Sequence, residues 1–447
     1  MRRTTTILIG SVLLAACGTP QALAMIDSDQ AEVLWRAPIA SPSALNRPAI
    51  GPTGEIAMQT SEVVVVEQDG SERWRQQIPV VSPDSICDFG PDGTLYVNSS
   101  DGIRAYSAAG VQKWLLPAPG IAHQSHAGPT VGPDGNIYFC DMILGGFGFA
   151  SVTPGGDLRW NIDEFRDIDS AIPRVEVAFG SGVAYISSPG IPDPCDGDCL
   201  ASGMLAVGLD GTEQWTTLTT APTQPAVLPS GEVLLPVAPS GLLRVDGADG
   251  STTPVPFSPL SHTGNAVTVA PDGTAFAVAN FSRIMRIEPG GGATVLAQPG
   301  AVMGTPAVSP DGSLLVVGTA DSLIASPNRI TGIDTLSGET LWEIPLPMEN
   351  GYQLTASGWP RFSDDGSSFY VGVNAGNSSY IYAVALGSDG SCPADLAELL
   401  GVLDLGDVQT FVTGFSAQDA IADFDGNGVF DLADVQAFVA SFVAGCP

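Results

Sequence analysis

The chain has few basic residues. Lys and Arg together number 16 among 447 residues, Asp and Glu number 48, and Lys113 is the only lysine. The formal net charge at pH 7 is therefore −32. Nucleic acids and anionic membrane surfaces are bound largely by Lys and Arg, which replace counterions at phosphates. This composition excludes nucleic acid as a partner, and it is compatible with cation binding, a salty exterior or simple solubility.

Catalytic motifs are also scarce. The sequence contains no GxSxG nucleophile elbow and no HExxH zinc motif. Two of its three histidines, His123 and His126, form the segment HQSH, which precedes a turn and is interpreted as an ordinary loop. The run DEFRDID at 163–169 offers several carboxylates, as glycosidases require, but such charge runs are usually solvated loops. No residue is therefore assigned a catalytic role.

A long apolar run is found only near the N-terminus. The first 24 residues combine two arginines with the apolar run Ile7–Ala16, which predicts an export signal. Residues 14–17, LAAC, are similar to the lipobox of bacterial lipoproteins and would make Cys17 the lipidated first residue. The alternative is an ordinary signal peptidase site at 22–24, ALA. Both predict a secreted, cell-surface or periplasmic protein, and only the first attaches it to a membrane.

Apart from Cys17 the chain has six cysteines, an even number that predicts disulfides in an oxidising compartment. The two in CDGDC would close a small loop, with a metal site as the alternative. Two others bracket the last segment of the chain, and their pairing would clasp its ends. The remaining two are paired by elimination, with two separate buried thiols as the alternative. The predicted pairs are, in this order, Cys195 with Cys199, Cys392 with Cys446, and Cys87 with Cys140.

A turn signal recurs along the chain. Segments such as GPDGTLYV and SPDGSLLVV place Pro-Asp-Gly between short apolar runs, which is typical of a tight hairpin connection. In many units a second turn and a tryptophan follow, as in DGSERW and DGTEQW, so each unit holds about four short strands. Eight such units predict a mainly β protein, a propeller of eight blades at 25–387. The glycines that end the turns, spaced by 39 to 54 residues, are Gly54, Gly93, Gly135, Gly182, Gly231, Gly273, Gly312 and Gly366.

One tryptophan has no unit of its own. Trp35, in EVLWRAP, resembles the last strand of a unit but stands before the first turn signal. The eighth unit, after YIYAVALGSDG, lacks a tryptophan strand. The two irregularities are complementary, and they predict that the N-terminal strand completes the last blade. A ring closed in this way removes two exposed sheet edges at once.

The unit resembles the PQQ-like, or quinoprotein-type, β-propeller repeat over about 32–387. Its best match is GIDTLSGETLWEI, in which the resemblance implies that Asp334 and Gly338 shape a turn and that Trp342 wedges its indole between neighbouring blades. The fifth and sixth units lack the tryptophan. Some members of the family are dehydrogenases that hold a quinone and calcium, often beside a disulfide of adjacent cysteines. This chain has no Cys-Cys dipeptide and no CxxCH haem motif, and so resembles the scaffold and binder members.

A long insert interrupts the fourth unit. Residues 188–203, SPGIPDPCDGDCLASG, separate two predicted strands and carry the first cysteine pair. Long stapled loops on a rigid scaffold commonly carry recognition. The insert is therefore a candidate loop for binding a glycan or a protein.

The pattern changes after Gly387 from strand to helical spacing. DVQTFVTGF at 407–415 and DVQAFVASF at 434–442 are 27 residues apart, and their Val and Phe residues fall on one helical face. Each segment follows a similar loop, GVLDLG or GVFDLA. Residues 388–447 are therefore predicted to form a small α-helical domain that arose by duplication of a loop and a helix.

The second loop, DFDGNGVFDLAD, has the spacing of an EF-hand calcium loop. Oxygen ligands stand at positions one, three, five, seven, nine and twelve, and Gly428 allows the sharp turn at position six. The first loop has an extra residue and apolar groups at central positions, so it is predicted to bind calcium weakly or not at all. The predicted ligands are Asp423, Asp425, Asn427, Val429, Asp431 and Asp434 in the second loop, and Asp395, Asp404 and Asp407 in the weak first site.

The two loop and helix units resemble a dockerin. The flanking SCPAD and AGCP are similar to the ends of cysteine-clasped dockerin-like segments of secreted proteins, and the match covers 391–447. The resemblance implies that calcium orders a helix pair that docks onto a cohesin-like or cell-surface anchoring protein, often in polysaccharide-degrading assemblies. Positions ten and eleven are Leu-Gly at 405–406 and Leu-Ala at 432–433, where cellulosomal dockerins often have Ser or Thr. This departure favours a surface-anchoring partner.

The sequence therefore predicts an exported, non-catalytic β-propeller that presents a binding surface and is anchored through a calcium-stabilised dockerin-like module. The alternative is an enzyme. A carbohydrate-active, polysaccharide-degrading component is the first form of this alternative, and a PQQ-dependent dehydrogenase is the second.

Overall fold

The structure is a computed structural model. It describes residues 31–39, 47–79, 86–117, 128–141, 147–165, 177–188, 203–219, 223–237, 241–256, 267–320, 328–349, 351–375, 378–386, 394, 396, 405–418, 420–422, 424 and 429–444. Within these residues the chain up to Leu386 forms antiparallel sheets, and the residues from Leu405 onward form helices.

Eight sheets of at least four strands follow one another along the chain, as the eight turn signals predicted. The first strand is β1 (Ala31–Ile39). Blades one to four comprise β2 (Ala49–Ile50), β3 (Ile56–Gln59), β4 (Glu62–Val66) and β5 (Glu72–Gln77); β6 (Cys87–Phe89), β7 (Leu95–Ser99), β8 (Gly102–Tyr106) and β9 (Gln112–Pro117); β10 (Thr130–Val131), β11 (Ile137–Asp141), β12 (Phe147–Val152) and β13 (Leu158–Phe165); and β14 (Ala178–Gly180), β15 (Val183–Ser188), β16 (Gly203–Gly208) and β17 (Glu213–Leu218).

The second half of the ring repeats this arrangement. Blades five to seven comprise β18 (Ala226–Val227), β19 (Val233–Val237), β20 (Gly241–Val245) and β21 (Thr252–Pro254); β22 (Thr268–Val269), β23 (Ala275–Ala279), β24 (Arg283–Ile287) and β25 (Ala293–Ala297); and β26 (Ala301–Val302), β27 (Ala307–Val308), β28 (Leu314–Ala320), β29 (Arg329–Asp334) and β30 (Thr340–Pro345). A hairpin of β31 (Met348–Glu349) and β32 (Tyr352–Gln353) leads to blade eight, with β33 (Arg361–Phe362), β34 (Ser368–Ala375) and β35 (Ser378–Leu386).

The N-terminal strand completes blade eight. Strand β1 pairs antiparallel with β35, from Ala31 opposite Leu386 to Ile39 opposite Ser379, with a bulge between Val33 and Trp35. The sheet order is β1, β35, β34, β33. The predicted closure of the ring is confirmed, and it joins the two ends of the propeller by backbone hydrogen bonds.

The apolar core of the propeller is divided into eight seams, each between two neighbouring blades. The seam between blades eight and one, for example, packs Trp35 and Ile381 against Ile56 and Val64. Because a blade is covered on both faces by its neighbours, a middle strand such as Glu62–Val66 is buried along its whole length. This explains why these strands have continuous apolar sequences instead of alternating ones.

Six seams hold a tryptophan, which comes from the outermost strand of one blade. In five of them the indole N–H donates to a carbonyl of a turn in the next blade, at 2.7 to 3.2 Å. Each indole also covers a turn glycine with positive φ, where a Cβ would stand 2.6 to 2.9 Å from the ring. The five pairs are Trp35 with Gly70, Trp74 with Gly110, Trp114 with Gly156, Trp160 with Gly211, and Trp215 with Gly250.

The sixth tryptophan, Trp342, faces a blade without such a turn. In blade eight the third and fourth strands are β35 and β1, which lie at opposite ends of the propeller sequence and so have no turn between them. The indole of Trp342 instead stacks on Phe369, with 6.0 Å between ring centroids and 14° between planes. It is 4% exposed, which confirms that the indole is wedged between blades seven and eight.

The predicted turn before Trp342 is confirmed as well. The Asp334 carboxylate accepts hydrogen bonds from the backbone N–H groups of Leu336 and Ser337, at 3.1 and 2.6 Å. Gly338 has φ +76°, and a Cβ there would lie 2.1 Å from the carbonyl oxygen of Leu296 in blade six. Glycine is needed here for both the turn and the close approach of the neighbouring backbone.

Two seams lack a tryptophan, as the sequence indicated for blades five and six. The third-strand residue opposite the tryptophan is Val, Ala, Ser or Gly in the other six blades. In blades five and six an arginine occupies the comparable part of the third strand, Arg244 opposite Thr253 and Arg286 opposite Thr294. Arg244 donates to the carbonyls of Pro289 and Glu288, at 2.6 and 3.2 Å, in the turn that an indole would otherwise reach.

The C-terminal segments are helical, as predicted. Helix α1 spans Leu405–Ala417, a short 3-10 helix spans Ala420–Ala422, and helix α2 spans Leu432–Ala444. In the described part of the chain, no helix combines the length and apolar character that a membrane crossing requires.

Candidate functional site

Helices α1 and α2 pack through phenylalanines at equivalent positions of the duplication. Phe411 and Phe438, which are 27 residues apart, stack with 4.1 Å between centroids and 7° between planes. Phe424 stands edge-on to both rings, at 5.5 and 5.4 Å. Each stacked ring also contacts the phenylalanine four residues later, Phe415 or Phe442, at 5.7 Å. Contacts between equivalent residues indicate an approximate twofold axis through the stack.

A buried carboxylate stands at the third residue of each helix. Asp407 and Asp434 are also equivalent in the duplication, and both are 0% exposed. The backbone N–H of Leu396 donates to Asp407 Oδ1 at 2.7 Å, and that of Asp431 donates to Asp434 Oδ2 at 2.8 Å. A buried carboxylate is costly unless hydrogen bonds, a helix N-terminus or a cation compensates it. Each carboxylate thus reaches toward the loop that precedes its helix.

The position of Asp434 fits the last ligand of a calcium loop, which closes the loop onto the ion from the start of the following helix. Hard carboxylate oxygens are the ligands that calcium prefers. Val429 and Asp431 are described as well, and the Asp431 carboxylate accepts the N–H of Ala433 at 2.7 Å. The remaining predicted ligands lie outside the described residues: Asp423, Asp425, Asn427, Asp395 and Asp404. The described residues alone contain no group of three or more His, Cys, Asp or Glu arranged for a metal, so calcium binding stays a prediction.

The two helices expose matching apolar side chains. Leu405 and Leu432 are 69% and 67% exposed, and Val412 and Val439 are 54% and 50% exposed. Both pairs follow the 27-residue spacing. Single exposed apolar residues are normal, and these four are distinguished by their repetition on the two helices. Leu405 and Leu432 occupy position ten of the two predicted loops.

A cavity of about 900 Å³ opens at the centre of the ring. Its walls come from the first strands of blades four to eight and the turns that follow them, together with a residue that precedes blade one. The lining residues are Arg47, Phe179, Gly180, Ser181, Val227, Leu228, Pro229, Gly231, Thr268, Val269, Ala270, Pro271, Ala307, Val308, Ser309, Pro310, Pro360, Arg361, Phe362, Ser363 and Asp364. The cavity is within the size range of small-molecule sites.

Sequence reasoning missed the two arginines of this cavity. Arg361 begins β33, and Arg47 stands two residues before β2. A signal was present, because aligning the units on their turns places Arg361 where blades five and seven have Ala226 and Ala307. A basic residue in an innermost strand is unusual in so acidic a chain, and it could have indicated a residue that lines the central cavity.

Most of the other predicted site residues lie outside the described residues. These are His123 and His126, the cysteines Cys195, Cys199, Cys392 and Cys446, and residues 166–169 and 189–202. Their predicted roles in loops, disulfides and recognition stay predictions.

The structure does not support the predicted pairing of Cys87 with Cys140. Cys87 is a free thiol that is 5% exposed, and it packs in the seam between blades one and two beside Ala57 and Val97. Burial in this apolar seam raises the pKa of the Cys87 thiol. Strand β11, which carries Cys140, belongs to blade three. A buried thiol agrees with the alternative of two separate buried thiols, since a small thiol packs well in an apolar seam without a partner.

Comparison with known proteins gives the fold. No family model matches the chain, and no curated protein matches it. The solved structure of the C-terminal WD40 domain of Sif2 is similar, with a TM-score of 0.56 and 11% identity, and the match covers 80% of this chain and 99% of that one. The chain is an eight-bladed β-propeller.

PQQ-type propellers are similar in the same way. BamB from Moraxella catarrhalis matches with a TM-score of 0.52 and 12% identity, over 77% of this chain and 99% of that one. A europium-containing methanol dehydrogenase matches with a TM-score of 0.54 and 13% identity, over 80% of this chain and 93% of that one. Identities this low establish the architecture alone, because propellers of one shape carry many unrelated functions.

Proposed function

We propose that this chain is an exported, non-catalytic β-propeller that binds a ligand or partner and is anchored to a cell-surface or extracellular assembly by its C-terminal helix pair, with calcium ordering the second loop. The observation that carries the proposal is the pair of equivalent, fully buried carboxylates, Asp407 and Asp434, on helices that also stack a pair of equivalent phenylalanines. A duplicated unit with a loop-directed aspartate at the start of each helix is what a calcium-ordered docking module requires.

The role of the chain's own residues follows from their positions. Asp434 would close the second loop on the ion, with Asp423, Asp425, Asn427, Asp431 and the carbonyl of Val429 as the other ligands. Bound calcium would supply the charge that compensates these carboxylates. Asp407 would remain a hydrogen-bond acceptor for the first loop, since the central positions of that loop are apolar.

The exposed apolar pairs support docking by this domain. Leu405 and Val412 on α1 repeat as Leu432 and Val439 on α2. The partner that suits such a surface is a protein with a complementary apolar face, of the cohesin-like or surface-anchoring kind. The propeller would then be free to present its channel and its loops to a second ligand.

The test compares the full-length chain with a double variant, Asp423→Ala with Asp434→Ala. Calorimetric titration should show calcium binding to the wild type that falls at least about tenfold in the variant, because two of six ligand groups are removed. Immobilised wild type should capture an envelope protein that a chelator releases, and the variant should not. Asp365→Asn, a carboxylate in a propeller turn, is the matched control and should behave as wild type.

Two outcomes would contradict the proposal. One is a double variant with unchanged calcium affinity and unchanged capture. The other is turnover, either release of sugars from a polysaccharide or dye reduction with PQQ and calcium, which would establish one of the enzymatic alternatives.

A further inference from the structure

The two ends of the propeller meet on one side of the ring. Ala31, where β1 begins, lies opposite Leu386, where β35 ends. The backbone N–H of Leu386 donates to the carbonyl of Ser367 at 2.9 Å, in the turn between β33 and β34. The segment before Ala31 and the segment after Leu386 therefore leave the propeller side by side, next to this turn.

This side of the ring is formed by turns, and we call it the turn face. In blade one, a Cβ on Gly54, in the turn after the first strand, would stand 1.8 Å from Gln68 Nε2, in the turn after the third strand. A Cβ on Gly312 in blade seven would stand 3.4 Å from Pro271 in the equivalent turn of blade six. The turn face comprises residues 51–54, 90–93, 132–135, 180–182, 228–231, 270–273, 309–312 and 363–366 after the first strands, and 67–70, 107–110, 153–156, 208–211, 246–250, 288–291 and 334–338 after the third.

The opposite side, the loop face, is formed by the turns after the second strands and by the connections between blades. The N–H of Ser100, in such a turn, donates to the carbonyl of Pro79, in a connection, at 3.2 Å. The N–H of Val302 donates in the same way to the carbonyl of Phe281 at 2.6 Å. The described residues of the loop face are 60–61, 78–79, 100–101, 219, 223, 280–282, 298–306, 346–349 and 351–359.

The long insert of blade four begins and ends on the loop face. Its described ends, Ser188 and Gly203, lie opposite each other where β15 ends and β16 begins. Beside Ser188, the hydroxyl of Ser187 donates to the carbonyl of Thr223 at 2.5 Å, in the connection to blade five. The insert that the sequence predicts as a recognition loop is therefore attached at the ends of the strands that lie away from the turns.

The helix pair is joined to the turn face by a short link. Ala394 packs in the apolar cluster of the helices with Phe411 and Phe438, so residues 387–393 are the whole link. An extended chain advances at most about 3.5 Å per residue, which places Ala394 within about 28 Å of Leu386. With a rise of about 3.4 Å per residue, β35 spans about 27 Å between the two faces. Only a fully extended link would bring Ala394 level with the loop face, and any bend keeps it on the turn side.

Both predicted processing sites of the export signal are compatible with attachment on this side. If Cys17 is the lipidated residue, an extended chain places it within about 49 Å of Ala31, so the lipid would also hold the turn face. With the alternative site at 22–24, the helix pair provides the attachment.

We propose that the propeller is attached turn face first and that it presents its loop face, with the insert of blade four, to its ligand. The proposal rests on the proposed function, since it assigns the orientation in which the helix pair anchors the propeller. A partner docked on the helix pair would stand beside the turns of blades seven, eight and one. The loop face would lie about a strand length further away and stay open to a second ligand.

The experiment compares two distances in the free full-length chain by resonance energy transfer. The donor dye is placed at Val443, which is 79% exposed at the end of α2, and the acceptor at Ser367 on the turn face or at Tyr352 on the loop face. Two noncanonical amino acids carry the dyes, so the native cysteines stay unlabelled. The distance to Ser367 should be shorter than the distance to Tyr352 by about 10 Å or more, a good part of the length of β35.

A chain with a longer link is the matched control. Insertion of about twenty Gly and Ser residues after Gly387 should bring the two distances close to each other, because a flexible link of that length reaches both faces. Equal distances with the native link, or a shorter distance to Tyr352, would overturn the proposal. If labelling at Ser367 or Tyr352 unfolds the chain, Leu336 on the turn face and Met348 on the loop face take their places, being 77% and 65% exposed.

The outcome is independent of the test of anchoring, because it requires no partner. A helix pair on the loop side with intact calcium-dependent capture would overturn this orientation and leave the proposed function standing. Absence of capture with the expected distances would overturn the proposed function, and the position of the helix pair beside the turns would stand.

Discussion

The six seams that contain a tryptophan and the two that do not join neighbouring blades in different ways. In five seams one indole covers a turn glycine of the next blade and donates to its backbone. Between blades five and six, the guanidinium of Arg244 donates hydrogen bonds to the turn of the next blade instead. The turn glycine there, Gly291, has nothing within 4 Å of where a Cβ would be. An arginine thus replaces the hydrogen bond of an indole without replacing its apolar contact.

The two kinds of seam show how a repeat tolerates the loss of its signature residue. A buried tryptophan contributes both a large apolar area and an N–H donor. In the seam between blades five and six, Val255 supplies apolar contact and Arg244 supplies the donor. In the seam between blades six and seven, Leu296 supplies apolar contact. These seams should therefore be weaker and more exposed to water.

Removing a docked indole should have the largest effect. Trp35→Ala deletes a side chain that is 4% exposed in the strand that closes the ring. The expected loss in the free energy of unfolding is about 3 to 5 kcal/mol, from lost burial and the cavity left behind. Urea denaturation measures it. Leu34→Ala, at an exposed position in the same strand, is the control, and equal losses in the two variants would refute the importance of the indole.

Adding a methyl group should separate the two kinds of seam. Gly211 and Gly291 have φ of +90° and +93°, so alanine strains both by about 1 kcal/mol. At Gly211 the new Cβ would also lie 2.6 Å from the Trp160 ring and displace it, for about 1 to 3 kcal/mol more. Thermal and urea unfolding should therefore rank Gly211→Ala as clearly less stable than Gly291→Ala. Equal stabilities of the two variants would show that the close contact between Gly211 and the Trp160 ring does not stabilise the seam.

Removing the substitute donor should cost less than removing an indole. Arg244→Met keeps an unbranched apolar stem and loses the two hydrogen bonds to the turn of blade six, for about 1 to 2 kcal/mol, together with the ion pair to Glu232 in its own blade. Arg286→Met is the matched control, because Arg286 also forms an ion pair, at 3.1 Å with Glu288, whose side chain is 45% exposed. Such a pair contributes about 1 kcal/mol or less. A larger loss in the control would show that Arg244 does not bridge the seam.

Acid should have the smallest effect, and it should act on the turns that carry an aspartate. The backbone N–H of Thr212 holds the pKa of Asp210 below its usual value, in the turn that receives Trp160. A carboxylate whose pKa is lower in the folded state stabilises the fold above its unfolded pKa of about 4, and this contribution is lost as the pH falls through the folded pKa. Asp210→Asn should lose slightly less stability than wild type between pH 6 and pH 2.5, measured by urea midpoints. If the urea midpoints of the variant and the wild type depend on pH in the same way, Asp210 does not contribute to the loss of stability in acid.

Much of the architecture was predictable because it depends on local spacing. Pro-Asp-Gly turns between short apolar runs predicted eight blades, and the surplus Trp35 predicted the closing strand. The repeated Val and Phe spacing predicted the two helices, and the structure adds that Phe411 stacks on its equivalent, Phe438. These features are recorded in short windows of sequence, where turn chemistry and side-chain period determine the backbone.

The site was predicted less completely. The aspartates at position twelve of each predicted loop are buried at the starts of the two helices, and calcium binding by them and by the other predicted ligands stays a prediction. Arg361 was missed because the innermost strand of its blade has only two residues, too few to show a period. The sequence also could not show that Cys87 is a buried thiol, because burial in a seam depends on both neighbouring blades.

By itself the sequence determined the number of blades, the strand that closes the ring and the duplication of the last two helices. Only the tertiary structure decided that Arg244 takes the place of an indole, that Cys87 is a lone buried thiol, and that Arg47 and Arg361 share one cavity. The physical reason is separation along the chain. Turns and periods act between neighbouring residues, whereas residues 47 and 361 share a wall only after the ring has closed.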